Sequence, residues 1–123
     1  MILVDSSVWI AHQRSSNAEL GRLLEEGLVT THPFVVGELA LGSFKNRQAF
    51  LGHLMSLPQV MTAADSEVLS MIEAHQLAGL GLGLVDAHLL ASALIDRARL
   101  FTFDRALDRT ARKFGIAWGA APH

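Results

Sequence analysis

The chain contains no cysteine. Disulfide scaffolds, thiolate metal centres and thiol nucleophiles are therefore excluded, and nothing in it calls for an oxidising compartment. Charge is also scarce: 18% of residues are charged against 50% hydrophobic, which excludes a disordered, solvated chain. Nor is there a basic excess. Ten Lys and Arg stand against twelve Asp and Glu, a formal charge of −2, so nucleic acid cannot be held by bulk attraction alone. Such a contact has to be local or bridged by metal ions. Long apolar runs are missing too. The stretch from Leu77 to Val85 is short, glycine-rich and closed by Asp86, so no membrane span is expected. The opening apolar run has no basic region before it and is cut by Asp5, so no secretory signal is expected and a cytoplasmic location is. Linkers, repeats and low-complexity segments are absent. The 123 residues suit a single domain over residues 1–123. The mean hydropathy of +0.32 is high for so short a chain, and implies that a partner or a second copy covers some apolar surface.

What is present is organised around the first ten residues. Ile2 to Val4 reads as a short strand buried on both faces, as in parallel sheets. Ser6 or Ser7 can cap a following helix, which leaves Asp5 where a strand ends and a helix begins. In open α/β sheets ligands bind at that edge, although Asp5 can also be read as a cap and nothing more. A second helix opens at Asn17, with Leu20, Leu23, Leu24 and Leu28 on one face and Gly27 at its end. Leu28 to His32 reads as a strand, and Pro33 suits the first turn of a helix running from Phe34 to about Phe44. That helix has its apolar stripe at Phe34, Val35, Leu41 and Gly42, and Glu38 falls on the same stripe, where a glutamate is unusual.

Lys45 to Arg47 is a polar turn, and Gln48 to Leu57 another amphipathic helix. Pro58 to Thr62 reads as a short edge strand, and Asp65 or Ser66 as the cap of a helix reaching about Ala78. Gly79 to Gly83 follows a helix rather than a strand, so it is a loop or hinge and not a dinucleotide fingerprint. Leu84 to Ile95 forms a small-residue helix with Asp86 in its first turn, on the face of Leu90 and Ala93. Leu100 to Phe103 reads as a strand that ends in Asp104, with a helix from Arg105, which repeats the layout at Asp5. Ile116 to Trp118 reads as a last strand.

Two strand-end aspartates, a helix-start aspartate and a glutamate on a helical face are thus candidates for one site. With right-handed crossovers both strand ends point to one rim. Four carboxylates converging there cannot all stay ionised without positive charge. With no cysteine and no paired zinc spacing among the histidines, an oxygen-only site suits Mg²⁺ or Mn²⁺. Such ions activate water and steady a phosphodiester during in-line displacement.

The motifs Leu3-Val4-Asp5-Ser6-Ser7, Val36-Gly37-Glu38-Leu39, Asp86-Ala87-His88-Leu89-Leu90-Ala91 and Leu100-Phe101-Thr102-Phe103-Asp104 occur in this order across nearly the whole chain. In this the sequence resembles the PIN-domain ribonucleases, and most closely the VapC-type toxins of toxin–antitoxin pairs. The resemblance implies an α/β fold, a three-layer α/β/α sandwich on a mostly parallel sheet. It implies divalent-metal-dependent endoribonuclease activity, a homodimer and a cognate VapB-like antitoxin. Asp5, Glu38, Asp86 and Asp104 carry over as the acidic, metal-holding catalytic site, with Ser6 and Thr102 as supporting hydroxyls. An antitoxin segment is expected in a groove lined by Leu20, Leu24, Phe44, Phe50 and Leu54.

Of the basic residues clustered late in the chain, Arg105 and Arg109 are the best candidates for phosphate contacts, and most others read as solvated helix faces, including the second patch at Lys45 and Arg47. Asp108 can reach the site or pair with Arg105 or Arg112 on the helix surface, and the surface pairing is preferred. His88 on a helix points away from Asp86; like His12, His32, His53, His75 and His123 it reads as structural or exposed. A haloacid-dehalogenase-type phosphatase needs a second aspartate two residues after the first, where this chain has Ser7. Two rivals stand beside the ribonuclease: a nuclease of the same fold acting on DNA or in RNA processing, and a catalytically silent interaction module. The sequence leaves open which RNA is cut, and whether one or two metal ions act.

Overall fold

The computed structural model describes residues 1–120, so His123 lies outside the described residues. Strand β1 (Ile2–Val4) is central and buried on both faces, which requires a layer of helices on each side of the sheet. It pairs in parallel with β2 (Val29–Thr30) on one side and β3 (Arg99–Phe101) on the other, with Ile2 opposite both Val29 and Arg99. Parallel bridges extend both edges: Thr31 meets Gln59, and Leu100 meets Ala117. The two outermost segments expected as strands are therefore single bridges. Across the sheet the order runs 58–60, β2, β1, β3, 116–118. The direction of winding reverses between β1 and β3, and that reversal is where open α/β sheets form a crevice at the carboxyl ends of their strands.

Helix α1 (Ser6–Arg14) leaves β1 directly and buries Val8 and Trp9. Helix α2 (Ala18–Glu25) is capped by the Asn17 side chain, which accepts from the Leu20 N–H at 2.8 Å, and it ends at Gly27 with φ of 69°. Helix α3 (Pro33–Ala40) is shorter than its apolar pattern implies. The chain turns at Gly42, where a Cβ would stand 2.6 Å from the Phe44 ring, so the missing side chain lets Phe44 fold back. Its buried face is Val35 and Leu39, while Leu41 is 91% exposed and Phe34 is also exposed. The expected stripe through Phe34 and Leu41 is therefore wrong, and Glu38 lies beside the core face where solvent reaches it.

Helix α4 (Arg47–Ser56) matches expectation closely, and Arg47 donates to the Ala40 carbonyl at 2.6 Å, which ties it to the end of α3. Phe50 and Leu54 face inward from α4, and Leu20 from α2, all three buried in the core. They cannot line an outer groove. Of the five residues expected there, only Leu24 and Phe44 are partly accessible. Helix α5 (Asp65–Ala74) has its cap at Ala64, one residue before the first of the two expected caps, and the Ala64 N–H is taken by the Glu67 carboxylate at 2.9 Å. It stops at His75 because Gln76 takes a φ of 53°. Helices α6 (Leu84–Asp96) and α7 (Arg105–Lys113) complete the molecule. Among the described residues no helix is long and apolar enough to cross a membrane.

His12, His32 and His88 make structural contacts. His12 Nδ1 accepts from the Asn17 N–H at 2.8 Å, and His88 Nε2 stands 3.6 Å from Asp65 Oδ1. His32 caps α3, its Nδ1 accepting from the Phe34 N–H at 2.9 Å. Burial, with a smaller contribution from neighbouring His88, pushes the His32 imidazole down to about 4. A base whose folded pKa lies below its unfolded value binds fewer protons when folded. Its contribution is complete above the unfolded value and is lost as pH falls through the folded one. Urea unfolding of the wild type is therefore expected to weaken between about pH 6.5 and pH 4. His32→Asn keeps a cap acceptor but has nothing to protonate, so its stability should fall less over the same interval. Equal losses in the two proteins would show that His32 is not the group responsible.

Candidate active site

Asp5 follows the last residue of β1, and its backbone N–H still donates to the Phe101 carbonyl of β3 at 2.9 Å. It occupies the cap position of α1 without its side chain capping that helix, so the carboxylate is turned elsewhere. It is also buried, only 5% exposed, and so needs compensation. Two hydroxyls supply part of it: Ser7 Oγ and Thr102 Oγ1 each donate to Asp5 Oδ2 at 2.7 Å. Each hydroxyl also accepts a backbone N–H, Ser7 from Phe103 and Thr102 from Asp104, both at 3.0 Å. A hydroxyl has one proton, and both are spent on Asp5. The 3.3 Å approach between the two oxygens is therefore a contact and not a bond.

The other three carboxylates follow the same pattern. Asp104 Oδ1 caps α7 by accepting from the Leu107 N–H at 2.9 Å. Asp86 Oδ2 accepts from the Gly83 N–H at 2.9 Å across the first turn of α6. Glu38 Oε1 meets Ser6 Oγ at 3.3 Å, and Ser6 stands 3.5 Å from Asp5 Oδ1, a distance too long to count for much. Each carboxylate thus has one oxygen tied to its own scaffold. The other oxygens, Asp104 Oδ2, Asp86 Oδ1 and Glu38 Oε2, have no hydrogen-bond partner among the described residues, and Asp5 Oδ1 has only the long Ser6 contact.

The four groups feel one another. Glu38 is raised above the ordinary carboxylate range first by partial burial, then by the charges of Asp5 and Asp86, with the Ser6 hydrogen bond opposing. Asp86 is raised first by burial and then by Asp104 and Asp5, against the lowering effect of the Gly83 N–H. None of the four forms an ion pair among the described residues. Nor, among those residues, are three His, Asp or Glu side chains drawn close enough to hold one ion as they stand. The donor set is nonetheless what a hard divalent cation takes: oxygen atoms only, anionic, and with one oxygen of each carboxylate left over.

Ser6 meets Glu38 and Thr102 meets Asp5, whereas the linear pattern offers Ser7 only as a candidate helix cap and as the residue that excludes a phosphatase. Its signal is the hydroxyl two residues after Asp5, and nothing along the chain links it to Phe103, 96 residues away. Asp108 is paired with Arg112 at 2.8 Å. Arg105 and Arg109 line a groove of about 900 Å³ that shares Thr102 with the site but includes none of the four carboxylates.

The sequence matches the PIN domain family over residues 2–113. The chain belongs to that family. It is 46% identical over 118 residues to Ribonuclease VapC32 of Mycobacterium tuberculosis, from both strain CDC 1551 / Oshkosh and strain ATCC 25618 / H37Rv, covering 95% of each chain. The crystal structure of PAE2754 from Pyrobaculum aerophilum superposes with a TM-score of 0.59 at 21% identity, over 88% of this chain and 77% of that one, and shares its fold.

Raised carboxylate pKa values in this PIN domain set the sign of a stability effect. An acid whose folded pKa exceeds its unfolded value favours the native state at low pH, and that contribution is lost as pH rises through the folded value. At neutral pH, in EDTA, the acidic site should therefore strain the fold. Asp86→Asn removes one charge but keeps an oxygen for the Gly83 N–H, so it should raise Tm in EDTA by about 3 °C. Mg²⁺ should then stabilise the wild type more than the variant, which scanning calorimetry of both proteins can measure. A variant that melts lower, with neither protein responding to Mg²⁺, would leave Asp86 as a helix cap only.

Proposed function

We propose that this PIN domain is a divalent-metal-dependent endoribonuclease that hydrolyses RNA phosphodiester bonds at Asp5, Glu38, Asp86 and Asp104. The observation that carries the reading is the division of labour within Asp5, where Oδ2 is locked by Ser7 and Thr102 while Oδ1 keeps only the long Ser6 contact, and the Asp5 charge acts on Glu38 and Asp86. The uncommitted oxygens of the four side chains would hold Mg²⁺ or Mn²⁺. The bound ion supplies Lewis acidity at the phosphodiester and lowers the pKa of a water. The chain itself keeps the site acidic and holds its donors at fixed orientation. Two caps do this for Asp86 and Asp104, and two hydroxyls for Asp5. Ser6 positions Glu38. Arg105 and Arg109, exposed on α7 just beyond Asp104, would take neighbouring phosphates, a local contact of the kind an acidic chain requires.

The likeness to Ribonuclease VapC32 supports a toxin role, with a VapB-like antitoxin as partner and a homodimer as the working form. Asp5→Asn and Asp104→Asn retain the oxygen that each scaffold bond uses and remove only charge. Each should lower RNA cleavage by about 10²–10³-fold while the far-ultraviolet spectrum stays native. EDTA should silence the wild type, and Mg²⁺ or Mn²⁺ should restore it. Ser7→Ala frees Asp5 Oδ2 from one donor and should cost less, on the order of tenfold. Full cleavage in EDTA would remove the metal-dependent reading. Light scattering at micromolar concentration is expected to give twice the chain mass, and a monomer would count against the dimer.

A further inference from the structure

The groove beside the site is lined by four arginines and two carboxylates, in a chain whose overall charge is negative. Both carboxylates are paired: Asp108 with Arg112, and Glu19 with Arg22, which Glu26 shares, while the Trp118 indole N–H also donates to Glu19. Arg99 and Arg112 donate to backbone carbonyls nearby. Arg105 and Arg109, one turn apart on α7, form no ion pair among the described residues, so the groove's free charge is positive and sits next to Asp104.

Phe103 also lines this groove, with half of its surface exposed. Its neighbours in sequence, Thr102 and Asp104, serve the acidic site, and its own N–H is fixed by Ser7. The ring is held edge-on against buried Phe101, with centroids 5.5 Å apart and an interplanar angle of 88°. An aromatic ring held in place, solvated and flanked by free arginines is what an unpaired base with its backbone can occupy.

We propose that Phe103 is a stacking platform for an unpaired base next to the scissile phosphate, with Arg105 and Arg109 gripping the adjoining backbone. The proposal deepens the ribonuclease reading and rests on it. Stacking is indifferent to base identity but needs a free base face, which a duplex does not offer.

The test pairs kinetics with a spectroscopic signal. One mixed-sequence RNA oligonucleotide is used alone and annealed to its complement, with wild type, Phe103→Ala, Phe103→Leu and Phe103→Trp. Phe103→Ala and Phe103→Leu should raise KM for the single strand about tenfold, with kcat nearly unchanged, and Phe103→Trp should restore it. The wild type should cut the single strand faster than the duplex. In EDTA, where no cleavage occurs, the added indole of Phe103→Trp should be quenched by the single strand beyond any change in the wild type. Leucine working as well as tryptophan, equal cutting of the duplex, or an emission that RNA leaves unaltered would each overturn the proposal. If the wild type cuts no RNA in Mg²⁺ or Mn²⁺, the ribonuclease reading fails by itself, and the emission titration still decides whether Phe103 stacks on a base.

Discussion

Two short hydrogen bonds onto one oxygen, from Ser7 and Thr102 to Asp5 Oδ2, hold the acidic end of this molecule together. A buried carboxylate is costly, and these donors offset part of that cost without neutralising the charge. They also tie the β1–α1 junction to the chain leaving β3, 97 positions away. Because each hydroxyl receives a backbone N–H from Phe103 or Asp104, the loop that carries the second aspartate is set by the first. An Asp5 turned to cap its own helix would release all of this.

The parallel sheet makes that arrangement possible. β1 and β3 are neighbours running the same way, so their following residues emerge side by side where the winding reverses. Asp104 and Asp86 then fix themselves by accepting backbone N–H groups at the starts of α7 and α6, a use of helix N-termini that orients a carboxylate. Capping and the proposed metal-holding role are compatible here because a carboxylate has two oxygens. The helix takes one and the site keeps the other.

The remaining tension is electrostatic. Four acidic groups share one rim without a cationic side chain paired to any of them among the described residues, while arginines gather in the adjoining groove. Separating the two signs suits the proposed phosphodiester substrate, whose scissile bond would meet the acidic end while its backbone meets positive charge.

Local chemistry decided what was legible in the linear chain. An apolar triplet ending in aspartate before a hydroxyl marks a buried strand and a helix start wherever it occurs, so β1, Asp5, α6 with Asp86, and α7 after Asp104 were readable directly. The parallel layout and the candidacy of the four carboxylates followed from those junctions. Helix faces were less legible. A stripe through Phe34 and Leu41 assumes a helix that continues to Phe44, whereas the Phe44 ring folding onto Gly42 ends it early and exposes Leu41. Likewise Leu20 and Leu54 are apolar whether they line a groove or fill the core, and only the packing of α2 and α4 chose the core. Ser7 and Phe103 depended on tertiary structure entirely. The place of Ser7 comes from a hydrogen bond spanning 96 positions, and the exposure of Phe103 from a chain that buries Thr102 and leaves the next ring outside; spacing along the chain encodes neither.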